Sequence, residues 1–235
     1  MTPVRVELWG VPSRRVPNAF ARMGTSRLGL RQAPGLRFAK LFGTASPQTF
    51  TPRSTDPRHW GLLTVWDDDA SADAFDDSRT NRSWSLIADE VARVRMTPLA
   101  STGRWSRREP FGDPQPAPAP HDGPVAAITR ARIRPHLMRT FWAASREVAA
   151  AVRVADGLVL ATGIGEAPVG LQGTFSVWES GAAMSAFAHR DPRHVAAIRR
   201  TPEVGWYAEE LFARFAVQSV TGRFVGREHR IGGGA

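Results

Sequence analysis

Two stretches, "LLTVWDDDASADAF" at 62–75 and "TFSVWESGAAMSAF" at 174–187, decide how this chain folds. Each starts as a short apolar run closing on Val-Trp, the pattern of a strand. Each then passes through polar or acidic residues into a short alanine-rich helix. Laid over one another they place Trp66 on Trp178 and Phe75 on Phe187. Further on, "TGRWSRRE" (102–109) is echoed by "TGRFVGRE" (221–228). Shared landmarks in the same order point to a tandem duplication.

Between the two copies lies "PFGDPQPAPAPHDGP", 110–124, which holds six of the 18 prolines and no apolar periodicity. It reads as a linker stiffened toward polyproline II. The expected organisation is therefore a first repeat over 1–109, the linker 110–124, a second repeat over 125–228 and a flexible tail, 229–235. In the first repeat strands are expected at 4–9, 36–42, 60–66 and 97–104, with helices near 16–28 and a broken pair over 70–94. In the second, strands are expected at 125–133, 157–162, 171–178 and 215–224, with helices at 136–152, 181–188, 192–200 and 203–214. The last of these rests on a stripe of Val204, Tyr207, Ala208, Leu211, Phe212 and Phe215. The order strand, helix, strand, strand, helix, strand is the split βαβ unit. The fold class expected is α+β: two tandem ferredoxin-like βαββαβ repeats forming an α/β barrel within one chain.

Composition narrows the chemistry. The 235 residues include no cysteine, which removes disulfides, thiolate nucleophiles, iron–sulfur clusters and thiolate metal ligands. The formal net charge is +9, and Lys40 is the only lysine among the basic residues. Because the arginines are dispersed rather than clustered, no nucleic-acid partner is expected. A nucleic-acid-binding domain stays as the reading from charge alone, and steep salt dependence would be its mark. No apolar run reaches the ~18 residues a span needs, and the start lacks a secretory pattern. A cytoplasmic protein with at most peripheral membrane contact is expected.

No two of the six histidines stand three or four residues apart, so no helical zinc motif is present. One histidine is placed differently from the rest. In "HRDPRHVAAIRR" (189–200) Asp191 and Pro192 read as N-cap and first helical residue. His194 follows in the first turn, with Ile198 four residues on and arginines at 190, 193, 199 and 200 around it. A lone histidine on a rigid helix can ligate a metal, and guanidinium groups suit carboxylates. It can equally be a satisfied helical histidine, and the residues by themselves leave both readings open. The aromatics Phe175, Trp178, Phe187, Trp206, Tyr207 and Phe212 could wall a flat ligand or simply form core. "GIGEAP" (163–168) reads as a hairpin loop, with Glu166 a functional candidate. No P-loop, dinucleotide fingerprint or nucleophile elbow occurs.

The segments "TRARIRP" (129–135), "GIGEAP" (163–168), "TFSVW" (174–178), "MSAFAHRDPRHVAAIRR" (184–200) and "GWYAEELFARF" (205–215) resemble the spheroidene monooxygenase family of carotenoid biosynthesis. In the first half "FARMG" (20–24) and "KLFGTASPQTFTP" (40–52) resemble that family's N-terminal half. The resemblance covers most of the chain and is most specific in the second half. It implies an oxygenase that places a keto group near the end of an acyclic carotenoid, using haem b, dioxygen and an external electron donor such as a ferredoxin. It implies His194 as the iron ligand, with Arg193, Ile198, Trp178, Phe187 and Trp206 around the cofactor. The substrate implied is a small hydrophobic molecule, with Arg130 or Arg132 as the candidate distal donor. A homo-oligomer is compatible with all of this. The wider fold resemblance is to haem enzymes of the dimeric α/β barrel type, so two alternatives stand beside the oxygenase. One is a haem lyase of the aldoxime-dehydratase kind, and the other is a non-catalytic haem-binding protein.

Overall fold

A computed structural model describes residues 2–45, 55–112, 114, 121–152, 154–167 and 170–232. Most of the linker expected at 110–124, and part of the 40–52 segment, lie outside the described residues. The chain divides into two compact units. The first comprises Met1–Gly43, Pro57–Pro98 and Val217–Ala235; the second comprises Thr44–Asp56 and Leu99–Ala216. The final stretch thus belongs to the first unit. Both units are mixed α+β with antiparallel strand pairing.

In chain order the first half runs β1 (Val4–Gly10), α1 (Val16–Arg31), β2 (Leu36–Ala45), β3 (Thr55–Trp66), α2 (Asp69–Asp76), α3 (Arg79–Ser85) and β4 (Glu90–Gly103). The second runs β5 (Val125–Ile133), α4 (Met138–Val152), β6 (Leu158–Gly165), β7 (Leu171–Trp178), α5 (Gly181–Arg190), α6 (Pro192–Val204) and β8 (Tyr207–Phe224), followed by β9 (Arg227–Ile231). Strand neighbours follow one scheme in both: β4-β1-β3-β2 and β8-β5-β7-β6. Each half therefore has the fourth strand beside the first, and the first beside the third.

The landmarks shared by the two stretches do the same work in each half. Trp66 Nε1 donates to Thr64 Oγ1 at 2.8 Å, and Trp178 Nε1 donates to Ser176 Oγ at 3.0 Å. The Trp66 ring meets Phe75 at 5.1 Å between centroids, and Trp178 meets Phe187 at 5.3 Å. Asp68 caps α2 by accepting from the Ser71 amide, and Ser180 caps α5 by accepting from the Ala183 amide.

In the first unit the space between sheet and helices is filled with aromatic side chains. Trp9 and Trp60 are cross-strand partners, and Trp84 of α3 stacks on Trp9 at 4.8 Å. All three are buried, together with Leu62, Trp66 and Phe75. Burying such large apolar surfaces is the main stabilising term in this unit.

Three expectations are corrected. The helix expected over 203–214 is a strand: α6 ends at Val204, Gly205 takes a left-handed conformation (φ 66°), and β8 starts at Tyr207. The sequence there satisfies both periods, because Leu211, Ala213 and Phe215 alternate as well as Leu211, Phe212 and Phe215 follow a helical stripe. Pairing with β5 across a large sequence separation decides for the strand. The flexible tail expected from 229 opens inside β9, which pairs with β8 from Val220↔Ile231 to Phe224↔Arg227. The pair over 70–94 is also shorter than expected, since β4 already begins at Glu90 and pairs with β1.

Candidate active site

The site is built on α5, α6 and the sheet face beneath them in the second unit. Helix α6 starts where the local chemistry dictates. Asp191 accepts from the amides of Arg193 (2.9 Å) and His194 (3.3 Å), and Pro192 occupies the first turn, where its missing N–H costs nothing. The Arg193 side chain folds back on Asp191, with Nη2 2.9 Å from Oδ2. That side-chain hydrogen bond, with the His194 and Arg193 amides, holds the Asp191 carboxyl below the usual range despite some desolvation.

This cap fixes His194. Its Nδ1 lies 2.9 Å from the carbonyl oxygen of Ala188 on α5. A carbonyl can only accept, so Nδ1 carries the proton, and in the neutral ring Nε2 is left with its lone pair. Among the described residues none takes that nitrogen, and this is the tautomer that ligation of a metal through Nε2 requires. The ring lies 4.9 Å from Phe187, which stacks on Trp178. Three of the residues expected around the site, Trp178, Phe187 and His194, are therefore contiguous.

Comparison of the two halves shows what the histidine replaces. His194 is the third residue after the Asp191 cap; in the first half the third residue after the Ser78 cap is Asn81. Asn81 Nδ2 donates to the carbonyl of Asp76 at 3.1 Å. Asp76 corresponds to Ala188 in the alignment that superimposes Trp66 on Trp178. So Asn81 and His194 use the same backbone acceptor at equivalent positions. Asn81 is wholly buried and also reaches Glu7 on β1, so this position faces the sheet.

Beneath α5 and α6 the tryptophan filling of the first unit is missing. The cross-strand pair Trp9↔Trp60 corresponds to Ala131↔Gln172, and Trp84, six residues after its cap, corresponds to Ala197. Trp142 Nε1 of α4 donates to Gln172 Oε1 at 3.0 Å, which marks the face of β7 that the helices cover. Alternation puts Thr174, Ser176 and Trp178 on that face, with Thr129 and Ala127 opposite on β5 and Ala161 on β6. Ala127, Thr129, Ala161, Thr174 and Ser176 are only half-buried, whereas their neighbours on the other face, among them Ile128, Phe175 and Val177, are fully buried. No α6 residue is buried, and in α5 only Gly181 is. Small side chains thus form much of the sheet face under these helices, in the half that carries the histidine.

The remaining expected residues are placed less closely. Trp206 is buried in the turn after α6, donating to Thr140 Oγ1 at 3.1 Å, with Phe141 on its edge and the Arg200 guanidinium over its ring. Ile198 is 49% exposed. Arg132 is exposed, and Arg130 lies on the sheet face away from the helices. There Arg130 Nε meets Glu166 Oε1 at 2.8 Å, and its Nη1 pairs with Glu209. The guanidinium also lies over the Trp105 ring. Burial opposes ionisation of Glu209, yet the amides of Arg107 and Ser106 and the Arg130 guanidinium together hold its carboxyl below the usual range. Sequence reasoning missed Glu209 because a helix over 203–214 leaves it off the apolar stripe of Val204, Tyr207, Ala208, Leu211, Phe212 and Phe215. Among the described residues no group of three His, Asp or Glu converges to hold a bare metal ion.

The chain is 35% identical over 214 residues to a spheroidene monooxygenase of Rhodobacter capsulatus, covering 91% of this chain and 88% of that one. It is 39% identical over 223 residues to a spheroidene monooxygenase of Rubrivivax gelatinosus, covering 94% and 81%. No family model matches. Among solved structures the chain shares its fold with an aldoxime dehydratase, with a TM-score of 0.58, 11% identity, and 92% and 81% of the two chains covered. At that identity the likeness is one of fold alone. Sequence relatives of this closeness and coverage make the chain a member of the spheroidene monooxygenase family and an oxidoreductase of the monooxygenase class.

Proposed function

We propose that this monooxygenase binds haem b between α5–α6 and the helix-facing side of its second sheet, with His194 Nε2 as the protein ligand to iron. The observation that carries this is the substitution within the fold: an asparagine position becomes a histidine with the ligand tautomer, and the three tryptophans filling the equivalent space become Ala131, Gln172 and Ala197. The residues present fit the group. One imidazole is oriented, Phe187 and Trp178 offer flat apolar contact, and the sheet wall beside them carries small side chains. Arg190, Arg199 and Arg200 supply cations at the rim; Arg193 is committed to Asp191.

Haem, when bound, supplies activation of dioxygen with two electrons from an external donor, one oxygen atom going to the substrate and the other to water. The chain's own contribution is positional. The Ala188 carbonyl holds the imidazole proton and so keeps Nε2 basic, and the Asp191 cap holds the first turn of α6 in place. Thr129 and Thr174, cross-strand partners on the wall, are the hydroxyl groups nearest in register to the position that Asn81 faces in the first half. They would offer hydroxyl groups to a bound ligand from the sheet wall. The substrate proposed is an extended acyclic polyene of the carotenoid type, the relatives being named for spheroidene, and the electron donor is a ferredoxin.

The test is haemin titration of the full chain, followed by absorption and reduction with dithionite. The wild type is expected to give one equivalent of bound haem whose Soret band shifts on reduction. His194→Asn introduces the first half's residue at this position and is expected to abolish the ligated spectrum, with circular dichroism checking that the variant folds. Retention of the wild-type spectrum in that variant would overturn the assignment.

A further inference from the structure

Helix α1 presents an unusual outer face. From residue 8 to residue 55 the chain contains no aspartate or glutamate, while Arg14, Arg15, Arg22, Arg27, Arg31, Arg37, Lys40 and Arg53 all fall in that interval. The inner side of α1 is settled: Ala19, Ser26 and Leu30 are buried, and Ser26 Oγ accepts from Trp84 Nε1 at 3.0 Å. On the outer side Phe20 is 58% exposed and Leu28 is 65% exposed. At 3.6 residues per turn, Arg27, Phe20, Arg31, Gly24, Pro17 and Leu28 succeed one another across about 100° of arc. All six are exposed. Arg14 and Arg15 extend the cationic edge in the turn that leads into the helix. Among the described residues no acidic side chain pairs with Arg14, Arg15, Arg27 or Arg31. Phe20 is not loose; its ring stands edge-on to Trp60 at 4.9 Å.

We infer that α1 docks this protein on an anionic lipid bilayer, lying flat with Phe20 and Leu28 in the headgroup–acyl boundary and Arg27 and Arg31 at the lipid phosphates. Phe20 projects between the guanidinium groups of Arg27 and Arg31, and Leu28 adds a second large apolar side chain at the edge of the same face. Apolar area supplies depth, and the cations supply attraction to a negative surface. Arginine's long stem lets the charge stay at the phosphate level while its methylenes lie on the apolar side. The stretch without acidic residues removes the repulsion that a mixed surface would bring. Charge alone would suit any polyanion; the protruding Phe20 and Leu28 favour a bilayer over an acidic protein. The inference stands apart from the haem reading. No helix of the described residues is long and apolar enough to cross a membrane, so docking would be superficial.

The test is co-sedimentation of the full chain with vesicles of phosphatidylcholine alone, and of phosphatidylcholine with phosphatidylglycerol. Binding is expected only to the anionic vesicles, with release in high salt. Arg27→Gln with Arg31→Gln is expected to weaken partitioning about 30-fold, from about fivefold per guanidinium near the surface. Leu28→Ser, which leaves the Phe20–Trp60 contact intact, is expected to weaken it as well; circular dichroism checks that both variants fold. Failure to bind anionic vesicles, or unchanged binding in the double arginine variant, overturns the inference. So does a Leu28→Ser protein that binds like the wild type, because that result points to an acidic macromolecule gripped by charge alone.

Discussion

At the scale of single residues, the two halves carry different buried ionisable groups at related places. Glu7, next to Asn81, lies where the second half has Thr129, and burial, followed by lesser effects including the Asp76 carboxylate, raises its pKa from 4.5 to about 7 against the opposing pull of Arg93. An acid with a raised native pKa stabilises the fold fully below its unfolded pKa, and that contribution is lost as pH rises through the native value. Chemical denaturation is therefore expected to show stability falling by on the order of 3 kcal/mol between pH 4.5 and pH 8, with most of the slope absent in Glu7→Gln. Arg130 is the opposite case, a buried cation held by two carboxylates. Arg130→Met would leave Glu166 and Glu209 facing each other without it, and a loss of about 3–5 kcal/mol is expected from the urea midpoint. The sequence flagged Arg130 and Glu166 separately. Their meeting was not legible, because it depends on which face of β5 residue 130 takes and on β8 bringing Glu209 alongside.

At the scale of elements, local chemistry was a good guide to starts and a poor one to long-range identity. The α6 cap is complete within four residues, so Asp191 and Pro192 could be read directly. Strand β8 could not, since residues 207–215 satisfy both a 3.6-residue and a two-residue period, and only pairing with β5 separates them. The β5–β7 pair is equally a product of contact. Gly173 sits opposite Arg130, and a Cβ there would run into the Thr129 carbonyl. Gly173→Ala is expected to force these strands apart at a cost of about 1–3 kcal/mol, read as a lowered melting midpoint. Because Thr129 and Thr174 stand on the proposed haem wall, the same variant should also weaken haemin uptake in titration.

At the scale of the whole molecule, one architectural plan is used twice with different contents. The first unit is packed with tryptophan and is expected to resist unfolding through burial alone; the second has small side chains where the first has large ones. If haem fills that space, it acts as part of the core. Haemin at about 100 times its Kd would add about 2.7 kcal/mol to the state that binds it. Calorimetry of the wild type is expected to show one transition moving upward with added haemin, and none moving in His194→Asn. With two compact units, the transitions should be analysed separately rather than as a single two-state melt.

What the sequence by itself determined were the features that short spacing controls: the repeated strand–helix landmarks, most strand positions, the α6 cap, and a histidine one turn inside it. The family was legible for the same reason, since its motifs are contiguous. What only the tertiary structure decided was which side chains share a space. It turned 207–215 into a strand, sent Arg130 to the face away from His194, and showed Ala131, Gln172 and Ala197 standing where Trp9, Trp60 and Trp84 stand in the other half. Cross-strand register joins residues some 40 to 50 positions apart, and no local pattern encodes that register. The exchange of large for small side chains under α6 therefore becomes visible only once the strands are paired.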